Sequence, residues 1–450
     1  MRTKNKCTGQ AAFLAAIVVV TFLIFIGVGP LRVAHAIADT IYVDAGNPCA
    51  GAGTLADPYC SIQLGVDNAS MGDIINIASG NYNETITLDD GTPDNLTISG
   101  DPANLPVVDG GVKFENSGTL DGLKLEYLYL LGNGNAERIF NMVNTGAVNN
   151  FTMDNCVLDG ENVAIASGGG GRYGIYGNLF GQTFTITNTE FKNILGWALM
   201  DIDVSSPGPP IGGNELPLTT VTFSNNYIHN SNGTVALRGN ADTRTTVVNA
   251  IDNRWADIGG NAGFEGFQWA AMEINNTMEA NVRNNTIKRV LGQCFELWNI
   301  DTLDLSGNDC LDSDQGIFFF SDGVGGAFCG SGGCPVPGGY VSLNNIAGNI
   351  EYGILVDPDS GGGPLNAECN WWGDSNGPSG EGPGSGDFVS ENAVFSPWSP
   401  VEFRDKRGQR NAGVCNPSPI PTLSEWGLMA MAGVLGIVGF MVMRRKKVTA

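Results

Sequence analysis

Histidine is almost missing from this 450-residue chain: His35 and His229 are the only two. That leaves little material for a multi-histidine zinc site and disfavours a Ser-His-Asp triad. No Cys-x-x-Cys pair occurs, nor does the Ca²⁺-binding nonapeptide repeat. The glycine clusters SGGGG at 167–171 and SGGG at 360–363 have no P-loop lysine beside them, so they read as loops rather than phosphate cradles. Long runs of helical periodicity are missing too, which excludes a helical solenoid. Positive charge is scarce, with 23 Lys and Arg against 46 Asp and Glu. Four of those bases fall within residues 1–36 and four in the last 31, with no acid in the former stretch, so the body is more acidic still. Such a surface repels nucleic acid and anionic membranes, and no nucleic-acid partner is expected. The surplus of acid suits a soluble extracellular protein and needs no reason beyond solubility. It also leaves room for Ca²⁺ or other cations; no cofactor is expected.

What is present is apolar and turn-rich. Hydrophobic residues make up 42% of the chain, and 64 residues are glycine, which is too apolar for disorder. Arg2, Lys4 and Lys6 precede the run AAFLAAIVVVTFLIFIGVG and the A-x-A pattern AHA ending at Ala36. Residues 1–36 therefore read as a secretory signal cleaved before Ile37, the alternative being an uncleaved anchor. At the other end an apolar stretch over 427–443 precedes Arg444, Arg445, Lys446 and Lys447. It has the minimum length of a membrane span, with its basic end on the cytoplasmic side.

Nine cysteines remain after Cys7 leaves with the signal. In an oxidising compartment Cys49 with Cys60, and Cys329 with Cys334, flank glycine-rich loops short enough to close locally. Cys294 with Cys310 and Cys369 with Cys415 are further pairings, leaving Cys156 as a small buried apolar residue.

The body repeats a unit. FTMDNCV at 151, FTITNTEF at 184, VTFSNNYI at 221, ANVRNNTI at 280, LDLSGNDC at 303 and VSLNNIA at 341 share alternating apolar residues before an Asn or Gly, with NAIDNRWA at 249 a degenerate member. The corner residues read as Asn155, Asn188, Asn225, Asn253, Asn284, Gly307 and Asn345. Alternation turns every second side chain inward, and one unit is too small to bury its face alone, so units must stack. Asparagine suits the corner because it tolerates left-handed backbone and its amide can bond along the stack. Variable spacing with constant strands predicts an all-β, single-stranded right-handed parallel β-helix of roughly ten coils. At about 4.8 Å per coil the rod is about 50 Å long.

The sequence also resembles the pectin-lyase-like β-helix proteins of bacterial surfaces. GDIINIASGNYNETITL at 72–88 is similar to that family's first coil, and the preceding segment to its lead-in. There Ser61 caps a short helix in which Ile62, Val66 and Ala69 share one face, placed to cover the open first coil. CNWWGDSNGP at 369–378 is similar to the family's closing segment. Trp371 and Trp372 cannot both point inward, so one is expected to plug the last coil and the other to pack under the loop ending at Trp398; the alternative is an exposed aromatic platform for a sugar. The last 31 residues resemble an IPTL-type C-terminal sorting signal: Ile420, Pro421, Thr422 and Leu423, then Trp426 and Gly427, an apolar helix and a basic tail. That resemblance implies an exosortase-type sorting protease as partner. The expected layout is a signal peptide over 1–36, a lead-in and capping helix over 37–72, the β-helix with its Trp-rich close over 73–400, a linker over 401–419 and the sorting signal over 420–450.

The fold hosts lyases, hydrolases and adhesins, so activity must come from a site. Candidate catalytic residues are Asp201, Asp203, Arg238, Glu273 and Glu296, with Asp322 and Asp357 as further acids. Counted from the corners only Glu296 and Asp357 share a spacing, so the bland reading sets these acids on a solvated face. No lyase or hydrolase motif falls on them. The expectation is an exported structural or adhesive protein on the surface of a Gram-negative cell, held first in the inner membrane by its C-terminal helix and touching matrix polysaccharide. The alternative is a polysaccharide lyase or glycoside hydrolase.

Overall fold

The computed structural model describes residues 39–404, except for residue 50, 133–137, 143–146, 164–172, 178–182, 197, 204–219, 240–244, 260–269, 327 and 330–331. The signal, the linker beyond residue 404, Cys415 and the sorting signal lie outside the described residues. Among the described residues no helix is long and apolar enough to cross a membrane.

Strand alternation does what the repeat pattern predicts. Thr183–Thr187 buries Phe184 and Ile186 and leaves its three threonines half-buried on the other side. Three such strands make one coil: Thr183–Thr187, Glu190–Lys192 and Ala198–Asp203. The next coil repeats them as Thr220–Ser224, Tyr227–Ser231 and Thr234–Arg238. Each strand pairs in parallel with its counterpart one coil on: Phe184 with Val221, Phe191 with Ile228, Asp201 with Ala236. The chain is an all-β parallel β-helix with three faces, termed one, two and three in chain order within the coil. Among the described residues face two is a sheet of ten strands. Faces one and three merge into a single sheet because Met272–Arg283 and Gln293–Ser306 run unbroken from one face to the other.

The corner between faces one and two is a column of left-handed residues: Asn155, Asn188, Asn225, Asp252, Asn284, Gly307, Leu343 and Cys369, with φ from 51° to 74°. Five of the seven expected corner residues sit in it. Asn253 and Asn345 do not: they lie one and two residues past the left-handed positions Asp252 and Leu343. The stacked amides belong to the next residue along. Asn226, Asn253, Asn285, Asn308, Asn344 and Asn370 are buried. Each amide nitrogen in turn donates to the next Oδ1 at 3.0–3.1 Å. Each Oδ1 also accepts a backbone N–H from the previous coil, as Asn285 Oδ1 does from Asn253 at 2.9 Å. A buried amide satisfied at every valence stabilises and fixes register. Sequence reading missed the split because both columns are rich in asparagine.

Inside, like side chains stack on like. Phe114, Phe140, Phe151 and Phe184 form one run, with successive ring centroids 5.3, 5.7 and 4.9 Å apart. The end of the stack is closed by Ile62–Asp67, a short helix whose N-cap Ser61 accepts the Leu64 N–H. Ile62 and Val66 are buried against the first coil; Ala69 lies past the helix end but still packs on the core. Gly65 allows the close approach, since a Cβ there would stand 3.0 Å from Ile75 Cγ2. At the far end Trp372 is fully buried and plugs the last coil. Trp371 carries on face two through a bridge to Asn345, and the Trp398 ring lies against Gly377. The chain then folds back over face two, where Phe403 is buried, its N–H bonded to Asn345 Oδ1, and Arg404 pairs with Asp309.

Disulfides join Cys49 to Cys60, Cys294 to Cys310 and Cys329 to Cys334, and Cys156 is a buried free thiol. Cys369 is also disulfide-bonded.

Candidate functional site

Face three carries the chemistry. Its strands bury Met200, Val235, Met272, Phe295 and Ile317. The alternate positions point outward and form columns. One column runs Tyr176, Asp201, Ala236, Glu273, Glu296, Phe318, in strict register. Two residues further along each strand a second column runs Asp203, Arg238, Asn275, Trp298. Parallel pairing alone therefore sets Glu273 beside Glu296, about 4.8 Å apart at the backbone.

Arg238 organises this face. Its Nε donates to Glu273 Oε1 at 2.6 Å and its Nη2 to Oε2 at 3.2 Å, a two-point clamp. Its Nη1 lies 3.4 Å from Asp201 Oδ1. Asn275 Nδ2 adds a hydrogen bond of 2.8 Å to Glu273 Oε1. Asp201 and Glu273 point outward yet are only 6% and 3% exposed, rather than facing open solvent. Glu296 differs. It is partly exposed, and its carboxyl has no hydrogen-bonding partner among the described residues. Burial, and then the charge of Glu273, push its carboxyl up to about 7, against the opposing pull of Arg238. Two neighbouring carboxyls thus sit in unlike environments, one clamped in an ion pair and one holding its proton to near neutrality. That division of state is what acid–base work on a glycosidic bond requires.

Aromatic rings flank the carboxyls. On the N-terminal side Tyr176 stacks on Tyr173 at 5.4 Å, with the Arg138 guanidinium 4.7 Å from its ring centre. On the C-terminal side stand Trp298, Phe318, Phe320 and Phe328.

Four of the five candidate residues thus meet: Asp201, Arg238, Glu273 and Glu296. Asp203 lies in register beside Arg238, but its side chain is outside the described atoms. Spacing from the corners hid this column, because loop length between faces two and three varies from coil to coil. Asp357 lies one residue beyond the strand Tyr352–Val356, outside the Glu273–Glu296 column; its N–H bonds to Phe319 O, which puts it beside Phe320 at the end of the second column. The Asp322 carboxylate instead accepts the backbone N–H groups of Phe328 and Cys329. It is also near the Cys329 and Cys334 sulfurs, but a disulfide occupies both, so that grouping cannot ligate a metal. His229 lies in Tyr227–Ser231 on face two, with Nε2 2.7 Å from Glu190 Oε1 and its ring stacked on Tyr227. Sequence reading missed Tyr176, Asn275, Trp298 and Phe318; the signal that finds them is strand register, which needs the paired strands.

An IPTL-CTERM motif matches residues 418–445. The motif points to an exported, envelope-associated protein and implies processing by an exosortase-like system. No curated protein matches the chain. Among solved structures, the complex of XylC with xylose is 12% identical, covering 74% of this chain and 69% of that one with a TM-score of 0.39. The GH136 lacto-N-biosidase from Eubacterium ramulus is 10% identical, covering 72% and 67% with a TM-score of 0.34. A rhamnogalacturonan lyase is 11% identical, covering 87% and 99% with a TM-score of 0.32. At these values the likenesses say nothing about chemistry. Fold and C-terminus together define a parallel β-helix that carries a surface-sorting signal.

Proposed function

We propose that this is an exported cell-surface glycoside hydrolase acting on an extracellular polysaccharide across face three. The observation that carries the reading is Glu296, a carboxyl raised to about 7 and paired in register with the Arg238-clamped Glu273. Glu296 gives its proton to the glycosidic oxygen as the bond from that oxygen to the anomeric carbon breaks. A Glu273 carboxylate oxygen bonds to the anomeric carbon. Glu296, now ionised, takes a proton from water, whose oxygen displaces Glu273 and restores both groups. Neighbouring strands set the two residues about 4.8 Å apart at the backbone, and the reading expects the carboxyl separation of about 5 Å that goes with retention of configuration. Arg238 and Asn275 orient Glu273, and Asp201 balances the guanidinium. The step needs no Ca²⁺.

Residues 1–36 serve export, and the helix at 427–443 holds the chain in the inner membrane of a Gram-negative cell until the sorting protease acts on the IPTL segment. A second reading, adhesion to polysaccharide without cleavage, is favoured by the 3% exposure of Glu273, which suits a structural ion pair. Release of reducing ends separates the two. The hydrolase reading expects release from at least one polysaccharide by the wild type, with E296Q slower by about 10²–10⁴-fold. Release left intact in E296Q, or unsaturated non-reducing ends on the released fragments, contradicts it.

A further inference from the structure

Beyond the carboxyls, face three turns from charge to aromatic surface. Trp298 lies two residues along the strand from Glu296, on the same outward side, and Phe318 is the register partner of Glu296 one coil on. Phe320 sits 5.5 Å from Trp298 and 6.0 Å from Phe318, ring centre to ring centre. A fourth ring comes from outside the coils. Phe328 reaches Trp298 at 6.4 Å and Phe320 at 5.8 Å, yet remains 62% exposed. Two devices hold it there. The Asp322 carboxylate accepts the N–H groups of Phe328 and Cys329 at 2.8 and 3.0 Å. The Cys329–Cys334 disulfide closes the segment, and Cys334, Pro335 and Pro337 line a small cavity against Trp298 and Phe320. An exposed aromatic fixed by a carboxylate and a disulfide is not needed for the core, which the coils already fill.

We propose that Trp298, Phe318, Phe320 and Phe328 form a sugar-binding subsite for a neutral glycan, with Phe328 its outer wall. This rests on the reading of face three as a polysaccharide site. A pyranose ring has an apolar C–H side that packs on aromatic faces, and binding sites combine such surface with a few polar groups. Charge decides the class. On the C-terminal side of Glu273 the two outward columns hold Glu296, Phe318 and Leu355, and Asn275, Trp298 and Phe320, with no Lys or Arg. Arg238 is already clamped to Glu273 and close to Asp201. A uronate ring would meet the acidic pair without a cation to balance it, so acidic polymers are disfavoured there.

The test uses the full chain in detergent, run through native affinity gels containing xylan, galactan or mixed-linkage glucan as neutral probes and polygalacturonate as the acidic one. The wild type is expected to be retarded by at least one neutral polymer and not by polygalacturonate. F328A weakens that retardation about tenfold with unchanged melting temperature, and the double variant C329S/C334S, run below its own lower melting transition, weakens it about tenfold as well. Where the neutral polymer is cleaved, the same variants raise KM and leave kcat within twofold. Retardation lost in F328A while E296Q still binds and no variant cleaves leaves the subsite standing and the hydrolase reading failed. No retardation by any neutral polymer, retardation by polygalacturonate alone, or F328A indistinguishable from wild type overturns the subsite.

Discussion

Neighbouring strands give Glu296 and Glu273 unlike surroundings. The two carboxyls occupy equivalent places on consecutive coils, yet one faces a guanidinium through two oxygens and the other has no hydrogen-bonding partner among the described residues. Burial and a neighbouring negative charge both disfavour the ionised form of Glu296, hence its rise from 4.5 to about 7. Two outcomes follow. On the hydrolase reading activity depends on the protonated form, so its alkaline limb falls with a midpoint near 7, and kcat/KM measured between pH 5 and 9 checks it. Stability moves the same way. The folded state holds this proton more tightly than the unfolded chain does, so the contribution is full below 4.5 and is lost as pH rises through about 7. E296Q removes that slope. Relative to wild type it gains stability between pH 4 and 8 by up to about 3 kcal/mol, read from urea midpoints at both pH values. R238A strips the clamp from a carboxylate that is 3% exposed, and destabilises the chain by about 3–5 kcal/mol in the same assay at pH 7.

At the scale of the element, the asparagine ladder carries register. Asn285 takes a backbone N–H from Asn253 and donates to both Ala250 O and Asn308 Oδ1. Replacing it by alanine leaves the Asn253 N–H and an Asn308 lone pair unmet in a dry interior. N285A therefore costs about 2–3 kcal/mol, read as a lower urea midpoint at constant m-value. Strand alternation, the capping serine and the closing tryptophan were all legible in the sequence because each is a local pattern. The corner was legible only in part: sequence marks that an asparagine sits there but not whether it supplies the left-handed turn or the stacked amide, which are adjacent residues. The site was legible as residue types alone. Asp201, Glu273 and Glu296 lie 72 and 23 residues apart, and what aligns them is pairing between strands whose connecting loops differ in length. Trp298 and Phe318 were invisible for the same reason, reading as core in a chain where every second residue is apolar.

Over the whole molecule, the stack turns a one-dimensional repeat into columns, and a column can place like residues side by side with no loop to position them. The price of that rigidity is an open apolar end on each side, closed here by Ile62–Asp67 and by Trp372. W372A leaves a large cavity under the last coil and costs about 3–5 kcal/mol, measured by denaturant titration. Coils that touch only their neighbours should lose order from that end first, so hydrogen exchange in W372A is expected to rise in Tyr352–Val356 before it rises in Thr183–Thr187. The central claim is narrower: burial and the charge of Glu273 raise the Glu296 carboxyl to about 7. Carbon-13 NMR of the chain labelled at glutamate Cδ tests it without a substrate. A resonance titrating with a midpoint near 7, and missing from E296Q, is the predicted result; a spectrum in which every glutamate of the folded chain titrates below 5 contradicts it.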